Sequence, residues 1–386
     1  MKKVVLGEVC DFFNGGAWSD KEYVNEGIPV LKVTNCKSTG FQLDNLNYLS
    51  EKSREKYKKN NLIIGDIIVA TVGSHPNLIE SAAGRSCIVN SQVEGFYLNQ
   101  NAVCIRTKDK RILSQKYLGY LCKCADFQHY IQSRGRGAAN QMRIAISSIK
   151  EYSFTLPDFE NQKYIADILS AYDDLIENNQ RQIKLLEEAA QRLYKEWFVN
   201  LRFPGHENTK IVDGVPEGWR RGLLKELISV NYGKDHKKAP DDGNIPVYGS
   251  GGLMRKCNKS LFSGEAVLIP RKGSLNNIMY VDETFWTVDT MFYATMKQPH
   301  TAVFVYFFVK AFDMYSMNIG AAVPSMTAKI LDAMDVVIPD KETLEKFDKC
   351  AKTYFNKIKT LQGQNERLKT ARDLLLAKLM SGEVEV

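Results

Sequence analysis

Apolar side chains recur every three or four residues along two long stretches of the chain, a period that predicts amphipathic helices. The first stretch runs from Ile165 to Trp197, and the second, displaced by 182 residues, runs from Phe347 to Leu379. A Pro-Asp pair precedes each stretch, and an aspartate there can accept hydrogen bonds from the free amides of a first helical turn. At about 40 residues and roughly 1.5 Å per residue, each helix would be roughly 60 Å long, too long to lie inside a small domain.

Within each predicted helix the apolar residues form a narrow heptad seam, which is typical of helices that pack against each other. Two amphipathic helices lying separately on their own domains are the alternative. Asn179, Asn365 and Arg372 interrupt the seams, where they would lower stability and restrict the register of pairing. Gly363 would cost the second helix about 1 kcal/mol. The residues predicted to pair are Leu169, Tyr172, Ile176, Ile183, Leu186, Leu193, Tyr354, Ile358, Leu361, Leu368 and Leu375.

The remaining sequence is dominated by short runs of β-branched and aromatic residues, which predict strands. Helical patterns interrupt these runs at residues 116–134 and 302–315. Residues 27–33 and 244–250 share the motif IPV, one of several weak similarities between the two parts of the chain. The predicted fold class is therefore α/β (α+β), with two copies of one mixed, strand-rich domain, each followed by a long helix.

These patterns divide the chain into five segments. A linker is predicted between Phe203 and Trp219, where Pro and Gly residues accumulate. The predicted segments are a first globular domain at 1–157, a first long helix at 158–200, a linker at 201–219, a second globular domain at 220–339 and a second long helix at 340–386.

Composition and charge narrow the class of protein. The 386 residues are 44% hydrophobic and 25% charged, which is typical of a folded chain rather than a disordered one. No apolar run approaches the roughly 18–20 residues of a membrane helix, and the first residues do not resemble a signal peptide, so we expect a cytoplasmic protein. The net charge of +7, concentrated in the first globular part, permits a polyanionic partner.

Signatures of catalysis and metal binding are absent from the sequence. The eight cysteines are scattered, with Cys122 and Cys124 as the only close pair, so we expect buried reduced thiols rather than a zinc site. No phosphate-binding loop, adenine methyltransferase motif or nuclease motif is present, and the five histidines are isolated. The sequence predicts a chain without catalytic residues, metal or cofactor of its own.

Basic and amide side chains cluster at the ends of predicted strands, in both globular parts. Arg can bond guanine and Asn or Gln can bond adenine, while other basic residues contact phosphates. Any one of these residues could be an ordinary solvated group, so the prediction of DNA binding depends on their clustering. The candidates of the first part are Lys32, Thr34, Asn35, Lys37, Arg134, Arg136, Asn140, Gln141 and Arg143. Those of the second part are Lys237, Lys238, Arg255, Lys256, Arg271, Lys272, Asn276 and Asn277.

The duplicated arrangement resembles the specificity subunit of type I restriction-modification enzymes over essentially the whole chain. The resemblance is carried by the helical passage at 156–198, by VPEGW at 215–219 and by NERLKTARDLLLAKLMSGEV at 365–384. It implies that each globular domain is a target recognition domain that reads one half of a bipartite DNA target. Because the two domains differ in sequence, the target is expected to be asymmetric.

The same resemblance implies a division of labour among subunits. The two helices would run antiparallel, set the spacing of the half-sites and dock methyltransferase subunits, two per chain. S-adenosylmethionine would belong to those adenine-N6 methyltransferase partners, and ATP and Mg²⁺ to the partner subunits of the complex, which include restriction and translocase subunits. The alternative interpretation is a non-catalytic coiled-coil scaffold whose globular ends bind proteins.

Overall fold

The computed structural model describes residues 2–37, 40–43, 46–74, 82–137, 142–317 and 325–384. The chain forms two compact units. Unit 1 comprises Met1–Asn178 and Asn365–Val386, and unit 2 comprises Asn179–Gln364. In sequence, unit 2 is therefore inserted into unit 1.

Unit 1 contains many short strands, a group of short helices and the beginning of the first long helix. Its described strands are β1 (Lys2–Val5), β2 (Cys10–Asn14), β3 (Tyr23–Val24), β4 (Ile28–Leu31), β5 (Cys36–Lys37), β6 (Gly40–Phe41), β7 (Asn47–Leu49), β8 (Ile67–Ala70), β9 (Val72–Gly73), β10 (Ser86–Ile88), β11 (Tyr97–Leu98), β12 (Ala102–Thr107), β13 (Met142–Arg143) and β14 (Ser153–Leu156). Its helices are α1 (Leu6–Val9), α2 (Gln115–Lys123), α3 (Ala125–Gln132), α4 (Ile146–Lys150) and the start of α5 (Phe159–Tyr194).

The main sheet of unit 1 is antiparallel, with the strand order β10-β8-β12-β2. Strand β8 is apolar at every position and fully buried, as expected of a central strand that is covered on both faces. Leu118 and Leu121 of α2 pack in one core with Ile67 and Val69 of β8. A second sheet has the order β11-β4-β7-β3 and includes one parallel pair, β11 with β4.

Unit 2 has fewer and longer strands. Its described strands are β15 (Ile211–Val212), β16 (Val215–Pro216), β17 (Arg220–Leu223), β18 (Ile228–Tyr232), β19 (Ile245–Gly249), β20 (Gly252–Cys257), β21 (Phe262–Pro270), β22 (Met279–Thr287), β23 (Met291–Met296) and β24 (Asp335–Ile338). Its helices are α6 (Ala302–Lys310), α7 (Ala328–Asp332) and the greater part of α8 (Lys341–Ser381). A six-stranded sheet with the order β18-β23-β21-β22-β19-β20 forms its centre. Apolar helix α6 packs on this sheet, with Val303 and Phe304 in one core with Val267 and Ile269 of β21.

The two units repeat one topology. In unit 1, β1 pairs with β14 and places Lys2 opposite Leu156. In unit 2, β17 pairs with β24 in the same antiparallel sense and places Arg220 opposite Ile338. Each unit also contains one short parallel pair, β4 with β11 in unit 1 and β19 with β22 in unit 2. The predicted fold class, two copies of a mixed, strand-rich domain followed by long helices, is confirmed.

The two long helices begin at the predicted aspartates. Asp158 Oδ1 accepts a hydrogen bond from the amide of Asn161 at 2.9 Å, just before α5. Asp340 Oδ1 likewise accepts from the amide of Thr343 at 2.9 Å, before α8. Trp219 Nε1 donates to the other oxygen of Asp340 at 2.9 Å, so the VPEGW segment is joined to the start of α8. A π-helical turn, Lys195–Val199, follows α5.

In unit 1 the start of α5 packs against the end of α8. Ile165 and Leu169 of α5 lie in the same core as Leu376 and Leu379 of α8. In unit 2 the end of α5 packs against the start of α8, where the ring centroids of Trp197 and Phe347 are 5.8 Å apart. The two helices are therefore antiparallel within each unit.

None of the residues predicted to form the seam is exposed. Leu169, Ile176, Ile358 and Leu361 are buried, and so are the polar Asn179 and Asn365. The half-buried members are Tyr172, Ile183, Leu186, Leu193, Tyr354, Leu368 and Leu375. Gly363 has no neighbour within 4 Å of a hypothetical Cβ, so its lack of a side chain is not required by packing.

The segment predicted as a linker contributes to the core of unit 2. Phe203 and Trp219 are both buried there, and β15 and β16 form a hairpin between them. The predicted domain boundaries stay a prediction. Among the described residues, no helix is both long and apolar enough to cross a membrane.

Asp173 on α5 connects three helices of unit 1. Arg372 of α8 donates to its Oδ1, Tyr120 of α2 donates to its Oδ2 at 2.8 Å, and Lys123 Nζ lies 3.5 Å from that oxygen. Burial would raise the pKa of Asp173, but the charges of Lys123 and Arg372 and the hydrogen bonds outweigh burial, so its pKa is lowered. The carboxylate therefore stabilises the packing of α5, α8 and α2.

Replacing Asp173 with Asn should lower the free energy of unfolding by about 1–3 kcal/mol, because Arg372 and Lys123 lose their charged acceptor. The depressed folded-state pKa means that this contribution is present above the unfolded pKa of about 3.9 and is lost as the pH falls through the folded-state pKa. Urea unfolding of wild type and D173N at pH 7 and at low pH measures both effects, and the difference should shrink at low pH.

Asp167 provides the matched control on the same helix. It pairs with Lys116 at 3.0 Å, but the two side chains are 63% and 50% exposed. Asp167→Asn should therefore cost less than about 1 kcal/mol. Equal losses in D167N and D173N would contradict the role assigned to the Asp173 network.

Candidate nucleic-acid interface

Three loops of unit 2 are joined by side-chain hydrogen bonds into one surface. We call residues 250–254, 271–277 and 313–316 the three-loop surface. Asn277 Nδ2 donates to the carbonyl of Ser250 at 2.9 Å, which joins the first two loops. Asn276 Nδ2 donates to Asp313 Oδ1 at 3.0 Å, and the Tyr315 hydroxyl donates to the Gly273 carbonyl at 3.2 Å.

Asn276 and Asn277 thus hold the loops of this surface together, and their contact with DNA stays a prediction. The Oδ1 of Asn276 also accepts from the amide of Met314 at 2.8 Å. An asparagine that reads adenine needs both its carbonyl and its amide group free to face the base. In this arrangement both asparagines position the loops.

Arg255 likewise holds backbone together rather than facing outward. Its guanidinium donates to the carbonyl of Ala239 at 2.7 Å and to that of Lys256 at 3.2 Å. It also donates to the carbonyl and Nδ1 of His236 and to Asp241. These contacts use all five N–H groups of the side chain. Arg255 therefore has a structural role at residues 236–241, and its contact with DNA stays a prediction.

The other predicted cations of unit 2 remain at the surface. Lys237, Lys256 and Lys272 are exposed. Arg271 is half-buried, lies over the ring of Tyr232 at 5.6 Å and donates to the carbonyl of Asp289 at 3.4 Å. The side chain of Lys238 lies outside the described part of the structure.

In unit 1, Arg136 and Arg143 lie directly opposite each other on two paired backbone segments. The amide of Arg136 donates to the carbonyl of Arg143 at 2.9 Å, and the reverse bond is 2.8 Å long. Both side chains are exposed, and Arg143 also lies opposite Val72 of β9. Like charges placed directly opposite repel each other, so this pair is suited to an anion that neutralises both. The predicted Asn140 and Gln141 lie outside the described residues.

The adjacent Arg134 is exposed and stacks on a ring of the preceding helix α3. Its guanidinium lies 3.6 Å from the centroid of Tyr130 and donates to the Tyr130 carbonyl at 3.3 Å. Arg134 therefore extends the positive charge of Arg136 and Arg143 along the same segment of the chain.

The predicted residues at 32–37 are mainly structural. Asn35 is buried, accepts from the amide of Lys32 at 2.9 Å and donates to the Gln42 carbonyl at 2.9 Å. Both ends of its amide group are bonded within the loop, and a contact of Asn35 with DNA stays a prediction. Lys32 Nζ donates to Asn47 Oδ1 at 2.6 Å, which uses one of its three donors. Thr34 is exposed and Lys37 is half-buried.

The sequence analysis missed a group of exposed apolar and aromatic residues in unit 2. Leu253 and Met254 are 60% and 54% exposed, and Tyr232 and Tyr315 are 54% and 45% exposed. The first two follow two glycines at the turn between β19 and β20, a position that could have been recognised because a tight turn keeps its neighbours away from the core.

No cluster of His, Cys, Asp and Glu suited to a metal ion occurs among the residues that the structure describes. Seven of the eight cysteines are buried free thiols, as predicted. The prediction is wrong for Cys350, which is exposed on α8.

Arg255→Ala should loosen residues 236–241 and lower the free energy of unfolding by about 1–3 kcal/mol, because several carbonyls lose a charged donor. Hydrogen exchange of the amides at 236–241 measures the local effect and urea unfolding the global one. Lys256→Ala is the control, since this neighbouring cation is exposed and should change stability by no more than about 0.5 kcal/mol. Unchanged exchange in R255A would contradict the structural role.

Comparison with known proteins identifies one family and several distant relatives. The family model of the type I restriction modification DNA specificity domain matches residues 1–188 and 216–370. The chain is 25% identical over 312 residues to the type I restriction enzyme MjaIX specificity subunit of Methanocaldococcus jannaschii, covering 70% of this chain and 69% of that protein. It is 21% identical over 467 residues to the type I restriction enzyme HindI specificity subunit of Haemophilus influenzae, covering 96% of each protein.

A solved structure has the same fold. The S subunit of a type I restriction-modification system from M. genitalium aligns with a TM-score of 0.60 at 19% identity, covering 98% of this chain and 96% of that one. At this identity the likeness concerns the fold alone.

Proposed function

Because the chain belongs to the family of type I restriction-modification DNA specificity domains, we propose that its two units read the two halves of an asymmetric DNA target through the basic loops described above. The chain is a specificity subunit, and such subunits bind DNA and assemble with other subunits. The opposed pair Arg136 and Arg143 is the observation that carries the proposal for unit 1.

Electrostatics supports a phosphate contact at this pair. Arg136 and Arg143 are directly opposite each other, and the Cα atoms of such a pair lie about 5.5 Å apart. Both guanidinium groups can therefore reach one phosphate or two adjacent phosphates. An arginine presents several donors in a fork that fits phosphate oxygens. Binding DNA would therefore relieve the repulsion between Arg136 and Arg143.

The three-loop surface supports the corresponding role in unit 2. Its bonded asparagines fix the loops in place, which lowers the entropy lost on binding. Lys272 is exposed on this surface and Lys256 is exposed just beyond it on β20, where these cations are available for phosphates. Recognition of bases would then depend on other residues of the same surface.

Catalysis is proposed to reside in partner subunits. The absence of known catalytic motifs from the sequence supports this division, in which adenine-N6 methyltransferase subunits, two per chain, use S-adenosylmethionine. Restriction and translocase subunits would use ATP and Mg²⁺. We further propose that α5 and α8 set the spacing of the half-sites.

A groove in unit 2 supports a docking site for a methyltransferase subunit. It has a volume of about 400 Å³ and lies beside Leu185, which is 64% exposed on α5. Glu188, Arg192 and Tyr354 line it. Leu185, Leu193 and Tyr354 give the groove an apolar centre, and the charged residues around it match the polar rim of a protein interface.

Removing either arginine of the opposed pair should weaken DNA binding without changing which sequence is preferred. Each substitution, Arg136→Ala or Arg143→Ala, should lower the affinity of the assembled complex about 5-fold at physiological salt and reduce the slope of log K against log salt by about 1. Titration of labelled duplexes at several salt concentrations measures both quantities.

Arg111→Ala is the control for the change of charge, because Arg111 is 90% exposed and already paired with Asp109 at 2.8 Å. The affinity of the R111A complex for DNA should differ from that of wild type by less than about 2-fold. An identical loss in R111A would show that net charge, and not the opposed pair, determines the affinity.

Exchanging residues 220–337 for the same domain of a relative should change one half of the methylated sequence and leave the other half unchanged. The reason is that unit 1 and unit 2 each contain a complete sheet and core of their own. Methylation mapping in cells that carry the complete system gives the result. A target that stays the same in both halves would contradict the proposal, and binding that never becomes sequence-dependent would favour a protein scaffold instead.

A further inference from the structure

The hairpin of β19 and β20 ends in a narrow tip. Strand β20 is at the edge of the six-stranded sheet and pairs only with β19. The last backbone pair is Gly249 with Gly252, and Ser250 and Gly251 form the turn. Ser250 is held by Asn277, but a Cβ added to Gly251 or Gly252 would meet no described atom within 4 Å, so this side of the turn is open.

Two large apolar side chains follow this turn. Leu253 lies opposite Tyr248, whereas Met254 is the extra residue of a β-bulge, because the next pair along the hairpin is Val247 with Arg255. With exposures of 60% and 54%, neither is covered by the described part of unit 2. The first buried residue of β20 beyond the tip is Cys257, so the core of the sheet begins only there.

The charges around the tip favour DNA as its partner. Lys256 is exposed and lies opposite Pro246, on the same face of the hairpin as Leu253 opposite Tyr248. Lys272 lies on the second loop of the three-loop surface, which Asn277 joins to Ser250 of the turn at 2.9 Å. A protein strand that paired with the edge of β20 would not require cations such as Lys256 and Lys272 near the tip. A phosphate backbone on each side of the hairpin would require them.

The dimensions and the chemistry agree with the major groove. A two-stranded ribbon fits the major groove, which is about 12 Å wide, and apolar side chains there contact the 5-methyl group of thymine. An insertion between base steps in the minor groove, the alternative for exposed apolar residues, would place the same side chains away from that methyl group.

We propose that the β19–β20 hairpin enters the major groove of the half-site read by unit 2, where Leu253 and Met254 contact thymine methyl groups. These two residues then contribute to specificity by recognising a methyl group rather than a hydrogen-bond donor or acceptor. This inference rests on the proposed DNA-reading function of the three-loop surface.

Deoxyuridine tests the contact, because it differs from thymidine in the base only by that methyl group. The complex of this chain with its methyltransferase subunits is titrated with its mapped target, in which each thymine of the unit 2 half-site is replaced in turn by uracil. We expect a loss of about 3- to 5-fold in affinity at one or two positions, corresponding to a buried methyl group. Replacing thymine by uracil in the other half-site should not cause a loss of affinity that depends on Leu253 or Met254.

The double variant L253A/M254A tests whether these two side chains make the contact with the methyl group. It should bind the thymine target more weakly than wild type and should no longer distinguish thymine from uracil. Leu253→Met together with Met254→Leu keeps the tip apolar and should retain the discrimination. The matched control is I211A/V212A, since Ile211 and Val212 are 51% and 66% exposed on the other short hairpin of unit 2. This control should leave the discrimination unchanged.

The outcomes separate this inference from the function on which it rests. A wild-type complex that does not prefer its mapped target to a scrambled duplex would overturn the proposed function. A clear preference combined with equal binding of thymine and uracil duplexes would overturn the role of the hairpin alone. A unit 2 half-site without any T·A pair, or discrimination that persists in L253A/M254A, would also overturn it.

Discussion

Leu376 and Leu379, near the end of the chain, are buried in the same core as Ile165 and Leu169, near the start of the first long helix. Burial of one leucine side chain stabilises a fold by about 1.5–3 kcal/mol, so this small contact area is a large part of the stability of unit 1. Unit 2 repeats the arrangement with the opposite ends of the same helices. Each globular domain therefore completes its core with segments from both helices, and the positions of the strands and loops depend on that packing.

The surface loops depend on this framework through hydrogen bonds over long separations in sequence. In unit 2 the Asn276 amide group is bonded to Asp313, and Arg255 is bonded to the carbonyl of Ala239. Such bonds fix loops before a ligand arrives, so less conformational entropy is lost when DNA binds. The side chains that remain exposed, such as Arg136 and Lys272, are then the ones available for the ligand.

The features that the sequence predicted well are periodic or local. The long helices, their first residues and the duplicated strands follow from spacing, from Asp158 and Asp340, and from repeated motifs. The roles of single polar residues are harder to predict from the sequence. The donors of Arg255, for example, are bonded to Ala239 and Asp241, and no local pattern indicates these partners. Leu253 was missed since an apolar residue in a strand pattern is normally expected in the core.

The order of the two units along the chain has a consequence for synthesis on the ribosome. Unit 2 is a continuous segment, whereas unit 1 consists of a long N-terminal segment and residues 365–386. The first domain to emerge is thus the last to acquire its full core, and until the final turns of α8 are made, Leu169 lacks part of the core that it shares with Leu379. A chain that stops early would expose that apolar surface, so quality-control proteases could distinguish unfinished copies from complete ones before any subunit assembles.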